Sequence, residues 1–364
     1  MDVGGGISLW YRTWGNRESG IPVLFVHGGP GNSAADYRNM NARFFDANQY
    51  FVIEPDQRGT GRSQPSVWDD ISNVRHYDDL TIGTMSRDFE LLRLDLGIDR
   101  WLVFGGSWGS TLGLDYTLRY PQRCLGAILR GIFLDARSEF DAIYRRSSFN
   151  GNDRLLSEFD AFLEPARREA RTSGEDDVDP DDSERIVRLY ERLVRKGDRD
   201  AIWRWYIFEM NIMEEDPAER RKYDVIEEED FMEAGSVAFF ESRLFLHGLF
   251  EEPMNLLGRV GTSSHRIKTA FADSGAEIGS AGGGDVTPDS SASLHYWICQ
   301  GKRDEICPMR YAEELVGALE EASIPIEAHF VDGGHKASSP AVAKCLEERV
   351  KDFAKYFDRR IESS

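Results

Sequence analysis

Cations are in deficit in this 364-residue chain: 44 lysines and arginines stand against 64 aspartates and glutamates, a formal net charge of −20. That deficit excludes nucleic acid and anionic membrane as natural partners, since both are bound by clustered positive charge. Cysteine is scarce, with only Cys124, Cys299, Cys307 and Cys345. Their spacing fits neither a metal-ligand set nor a disulfide framework, so no metal is expected and they read as reduced thiols of an intracellular chain. No apolar run is long enough to span a bilayer. Met1-Asp-Val-Gly-Gly-Gly6 has neither the basic nor the apolar part of a leader peptide. A cytoplasmic protein is expected. What is present, 41% hydrophobic and 12% aromatic residues, suffices for the core of a large globular enzyme.

The most informative stretch is Trp101-Leu-Val-Phe-Gly-Gly-Ser-Trp-Gly-Ser110. An apolar run predicts a short buried strand, a glycine pair breaks it, and the residues from Ser110 onward predict a helix. Ser107 stands at the apex with glycine two residues to either side. Strand, sharp turn and helix around G-x-S-x-G form a nucleophile elbow, in which glycines permit a tight turn and the hydroxyl is held clear of the backbone. The bare motif also occurs in ordinary glycine-serine turns, so the assignment depends on its partners.

Those partners follow from the order of elements. Alternation predicts an early strand over 7–14, and apolar runs predict buried strands at 21–26, 50–55 and 127–133, with helices over 36–45 and 81–97. The pattern stops at about residue 134. Residues 134–260 are helical, charged and aromatic, with an acidic loop at 174–182. A second loop is expected over 261–293. Strands then resume at 295–300 and 326–331, with helices over 311–322 and 341–359. The fold class is therefore α/β, a mostly parallel sheet covered on both faces. Residues 1–133 and 261–364 are expected to form the catalytic domain, and 134–260 a helical cap.

Catalytic groups in such sheets sit on loops at the carboxyl ends of strands. Gly301-Lys-Arg-Asp304 follows one late strand and Asp332-Gly-Gly-His335 follows the other. Ser107, Asp304, His335 is the chain order of the α/β-hydrolase architecture. Ser107 is assigned as nucleophile, His335 as general base and Asp304 as the acid that orients it. Asp332 is a rival acid, disfavoured by its closeness to His335. The oxyanion hole is assigned to the N–H groups of Trp108 and of Gly29, in the loop His27-Gly-Gly-Pro-Gly31, where Pro30 has none to offer.

The series His27-Gly-Gly-Pro-Gly31, Asp56-Gln-Arg-Gly-Thr-Gly-Arg-Ser63, Gly105-Gly-Ser-Trp-Gly-Ser110 and Leu129-Arg-Gly-Ile-Phe133 resembles the proline iminopeptidases of the α/β-hydrolase fold. The resemblance covers most of 7–140 and 295–336. It implies that the insertion caps the active site, that the reaction releases an N-terminal proline from short peptides, and that no cofactor is required. In that family two cap glutamates hold the substrate ammonium, one in a W-x-x-W-E and one in an E-N-H-Y-F segment. Trp205-Tyr-Ile-Phe-Glu209 and Glu241-Ser-Arg-Leu-Phe245 match them in part and imply that role for Glu209 and Glu241. Phe133 and Phe245 match positions lining the proline pocket. Ile143 stands where the family carries an aromatic, which loosens the expectation of strict proline preference.

Two other readings remain open at this level. An esterase, amidase or lactonase would use the same triad without Glu209 and Glu241. A binding protein on a hydrolase scaffold would need none of the three catalytic groups. Oligomeric state has no signature in the sequence.

Overall fold

A computed structural model of the chain describes residues 1–134, 136–214, 216–251, 256–269 and 294–362. Strands β1 (Asp2–Gly4) and β2 (Ile7–Ser8) make a small hairpin. The main sheet contains β3 (Tyr11–Gly15), β4 (Ile21–Val26), β5 (Tyr50–Pro55), β6 (Trp101–Ser107), β7 (Cys124–Ile132), β8 (Tyr296–Gly301) and β9 (Ile326–Val331). Its order is β3-β5-β4-β6-β7-β8-β9, with β3 antiparallel to β5 and the other neighbours parallel. The single strand expected over 7–14 is split. Ser8 bridges to Gln64 and the Trp10 N–H donates to Ser63 Oγ at 2.9 Å, so a polar loop takes the bonds a continuous strand would have made.

Burial alternates along the central strands. Val23, Phe25, Val52, Leu102 and Phe104 face one layer, while Leu24, Val26, Ile53 and Val103 face the other. Both sets are apolar because both faces are covered, which is why these strands read as continuous apolar runs. The helices are α1 (Arg38–Phe44), α2 (Ile82–Asp95), α3 (Trp108–Arg119), α4 (Arg137–Tyr144), α5 (Asp153–Thr172), α6 (Ser183–Arg195), α7 (Arg199–Met213), α8 (Glu228–Glu251), α9 (Leu256–Thr269), α10 (Met309–Glu321) and α11 (Pro340–Glu362). Side-chain caps start several of them: Thr81 accepts from the Thr84 N–H, Asn152 from Leu155 and Asp198 from Ala201.

Between β7 and β8 the described chain is helical. Helices α5 to α8 pack on one another through aromatic contacts, with Phe162 stacked on Phe208 at 4.3 Å and on Tyr190 at 4.6 Å. The acidic stretch 174–182 is an exposed loop anchored by buried Val178. The loop expected from Gly261 onward is corrected in its first part. Leu256, Val260 and Ile267 bury one helical stripe, and α9 packs on α3 and α10. The rest of that expected loop, 270–293, lies outside the described residues. Among the described residues, no helix is long and apolar enough to cross a membrane.

The cysteine expectation also needs correction. Cys124 and Cys307 are free and buried, but Cys299 on β8 and Cys345 on α11 form a disulfide, with Cα atoms 6.1 Å apart. α11 packs against β8, and it is that packing, not spacing along the chain, that brings the two thiols together. The argument for a reducing compartment from four reduced thiols therefore loses its footing.

Candidate active site

β6 delivers Ser107 at the point where the chain turns into α3. Its φ of 57° is left-handed, and Ser323 is the only other non-glycine residue with positive φ among the described residues. Such a conformation is held by its surroundings. A Cβ on Gly105 would lie 2.2 Å from the Gly109 carbonyl oxygen, and one on Gly109 would lie 2.2 Å from that of Val26. Both glycines of the motif are therefore required by close backbone approach.

Three loops converge on that serine. His335, after β9, places Nε2 3.0 Å from Ser107 Oγ, and its Nδ1 lies 2.9 Å and 3.0 Å from the two Asp304 oxygens. Asp304, after β8, also accepts the N–H groups of Ile306 at 3.0 Å and Cys307 at 2.8 Å. These bonds fix the carboxylate, which in turn orients the imidazole. Arg130 Nη1 donates to the His335 carbonyl at 2.9 Å and secures the loop that carries His335. The rival acid is elsewhere: Asp332 is exposed and pairs with Arg303.

The loop 27–31 lies against the elbow. A Cβ on Gly28 would come within 3.3 Å of the Gly106 carbonyl oxygen, and Gly29 and Trp108 both border the cavity beside Ser107. His27 supports this loop and is not among the residues lining that cavity. It is fully buried, its Nε2 accepts the Gln57 N–H at 3.0 Å, and its Nδ1 pairs with the Gly28 carbonyl at 2.9 Å. Burial pushes its pKa down, which keeps the ring neutral and able to accept. Gln57 continues the network by accepting from Trp108 Nε1 at 3.1 Å.

A cavity of about 390 Å³ joins this centre to the helical insertion, bordered by Phe133, Ile143, Glu209, Glu241 and Phe245. Phe133 and Phe245 meet with ring centroids 5.4 Å apart. Glu209 on α7 opens onto the cavity and accepts the Tyr144 hydroxyl at 2.6 Å; Glu241 on α8 is buried and accepts Trp205 Nε1 at 2.5 Å. The two carboxyls also hydrogen-bond to each other. Burial, then the charge and hydrogen bond of Glu209, push the Glu241 pKa well above 4.5. Burial raises Glu209 as well, against the hydrogen bonds from Glu241 and Tyr144 that pull it down. Two neighbouring carboxylates withdrawn from water disfavour each other's charge, so the pair favours holding one proton between them.

All nine residues singled out in the sequence thus border one site or support it. Sequence reasoning missed Tyr144 and Trp205, which hold the glutamates, and Gln57, which ties the glycine loop to the elbow. Trp205 and Gln57 lie inside motifs already quoted and Tyr144 follows Ile143, but no spacing rule assigns any of them a partner. Among the described residues, one set could also hold a metal: Asp304, Cys307 and His335 bring carboxylate, thiol and imidazole within 4.8 Å. Burial and the Asp304 charge push the Cys307 thiol up, so it is a protonated neighbour of an acid–base pair and a poor ligand in that form.

Residues 21–170 match the family model for the alpha/beta hydrolase fold. A protein of Leptolyngbya boryana named as a probable proline iminopeptidase is 30% identical over 362 residues, covering 95% of this chain and 90% of its own. A proline iminopeptidase of Arabidopsis thaliana is 30% identical over 345 residues, covering 92% and 73%. Among solved structures, a putative ancestral haloalkane dehalogenase superposes with a TM-score of 0.53 at 16% identity, covering 98% of this chain and 96% of that one, a likeness of fold alone.

Proposed function

Since the chain belongs to the proline iminopeptidase family of α/β hydrolases, we propose that it is a serine aminopeptidase that releases N-terminal proline, or a similarly small residue, from short peptides. The observation that carries this reading is the pair Glu209 and Glu241, the first half-buried and the second buried, both lining the cavity that holds Ser107 and His335. An esterase has no use for two carboxylates in an apolar pocket. A free α-ammonium next to the scissile bond does, because it supplies the missing cation and lets both carboxylates ionise.

In this mechanism the ammonium enters between Glu209 and Glu241, and the pyrrolidine ring packs on Phe133 and Phe245. Ser107 Oγ attacks the prolyl carbonyl as its proton passes to His335 Nε2. Asp304 stabilises the resulting imidazolium. The N–H groups of Gly29 and Trp108 receive the oxyanion, aided by the N-terminal end of α3. His335 then hands the proton to the departing amine, and water attacks the prolyl ester by the reverse route. Serine, acid, base and the donors at the oxyanion suffice for each step, and no cofactor enters.

The test is hydrolysis of a proline arylamide, its N-acetyl form and a short-chain ester by wild type and Glu241→Gln. The expected result is selective cleavage of the free amine, with loss on acetylation and at least a ten-fold fall in kcat/KM in the variant, the scale of one charge-assisted hydrogen bond. Ester turnover indifferent to both changes would move the protein to the general hydrolase reading.

A further inference from the structure

A second cavity, of about 410 Å³, opens beside the first and shares with it His335 and Met213. It contains neither glutamate of the pair and not Ser107. Its charged wall is unusual for so acidic a chain, with Arg154, Arg220 and Arg303 set against Glu214 and Glu305. Most of these charges are already paired. Arg154 bonds Glu305 at 2.9 Å, Arg303 pairs with Asp332, and Glu214 pairs with Lys336. Arg220 is the cation without a close partner: its charge reaches Glu214, which Lys336 already holds. Among the described residues it makes no ion pair, and its Nε is buried without a hydrogen-bond partner.

The direction of the reaction says what passes this wall. The residue being released has its ammonium at Glu209 and Glu241, so the rest of the peptide leaves on the other side of Ser107. His335 must reach the departing amine to protonate it. The chain beyond the scissile bond therefore runs past His335, into the cavity that Arg220 lines. In a peptide of two or three residues, the group that arrives there is a carboxylate. A guanidinium with unused N–H donors in a partly buried wall is the chemistry that receives one.

We propose that Arg220, flanked by Arg154 and Arg303, forms a leaving-side subsite for a substrate carboxylate, which makes the enzyme selective for very short peptides with a free C-terminus. This rests on the aminopeptidase reading above. An acidic side chain just after the scissile bond offers the same chemistry, and the substrates below separate the two sources.

The experiment measures kcat/KM for Pro-Ala and Pro-Ala-Ala as free acids and as C-terminal amides, for Pro-Glu-amide, and for a neutral proline arylamide. Wild type, Arg220→Ala and Arg220→Lys are compared. One of the free acids should exceed its amide about ten-fold in wild type, the scale of one charge-assisted hydrogen bond. The preference should collapse in Arg220→Ala, return in part in Arg220→Lys, and shrink at high salt. The acid-to-amide ratio is internal to each preparation, so a partly unfolded variant still reports it. Preference for Pro-Glu-amide over Pro-Ala-amide, with Pro-Ala acid and amide equal, assigns the subsite to the side chain. Equal turnover of every acid and amide, with the arylamide cleaved, overturns the subsite alone. A wild type that fails to cleave the arylamide removes the aminopeptidase reading and the subsite with it.

Discussion

At the scale of single residues, the site holds groups in states they would not choose in water. Ser107 occupies left-handed backbone, and Glu241 sits buried beside another carboxyl. The second has a measurable cost. A carboxyl whose folded pKa is raised binds a proton in the native state that the unfolded chain has released, so its contribution lowers stability as pH rises above 4.5, the ordinary value. Glu241→Gln removes that penalty and keeps an acceptor for Trp205. The variant should melt a few degrees above wild type at pH 8, with the difference closing as pH falls through 4.5, while recognition of the free amine is lost. Thermal unfolding across pH checks it, and a variant less stable than wild type at pH 8 would contradict the shared-proton account. The motifs pointed to both residues. The state of Glu241 depends on its burial and on Glu209, which approaches from a helix earlier in the chain.

At the scale of elements, two joints hold the helical insertion and the loops around Ser107, Asp304 and His335 in register. α8 rests on the glycine loop: Ser236 Oγ donates to the Gly31 carbonyl at 2.8 Å, and a Cβ on Gly31, whose φ is +105°, would lie 2.6 Å from Val237 Cα. The loop bordering Ser107 is thus packed on the helix that carries Glu241. The second joint is the Cys299–Cys345 bond, which ties β8, just before Asp304, to α11, just after the His335 loop. It closes a segment with a sequence separation of 46, for which chain entropy gives about 4 kcal/mol of stabilisation. Reduction, or the pair Cys299→Ala and Cys345→Ala, should lower the urea midpoint accordingly. An unmoved midpoint would mean that packing alone holds α11. Neither joint is legible in a linear reading, because each pairs residues tens to hundreds of positions apart with no periodicity linking them.

At the scale of the whole molecule, the excess of acid is managed by pairing as much as by solvent. Arginines bridge acids across elements, as in Arg168 to Asp198 and Asp200, and Arg137 to Asp141 and Glu184. These partly exposed pairs contribute little each, and a net charge of −20 still repels itself in the folded state. Moving from low ionic strength to about 0.15 M salt, where screening acts over ~8 Å, should therefore raise the Tm by a few degrees. A fall in Tm on adding salt would mean that the ion pairs outweigh the self-repulsion.

The sequence by itself determined the α/β class, the elbow and the chain order of Ser107, Asp304 and His335. These depend on local signals: apolar runs that suit strands buried on both faces, glycines where backbones nearly touch, and loops that begin where strands end. Tertiary structure alone decided which acid serves the histidine, since Asp304 and Asp332 both follow strands and only packing turns one inward. It alone decided that two of four thiols are joined, that residues from Gly261 to Thr269 continue a helix, and that Arg220, without an ion pair among the described residues, lines a cavity with His335. The reason is the same in each case. Sheet order and helix packing set which distant residues meet, and neither is written in the spacing of residues along the chain.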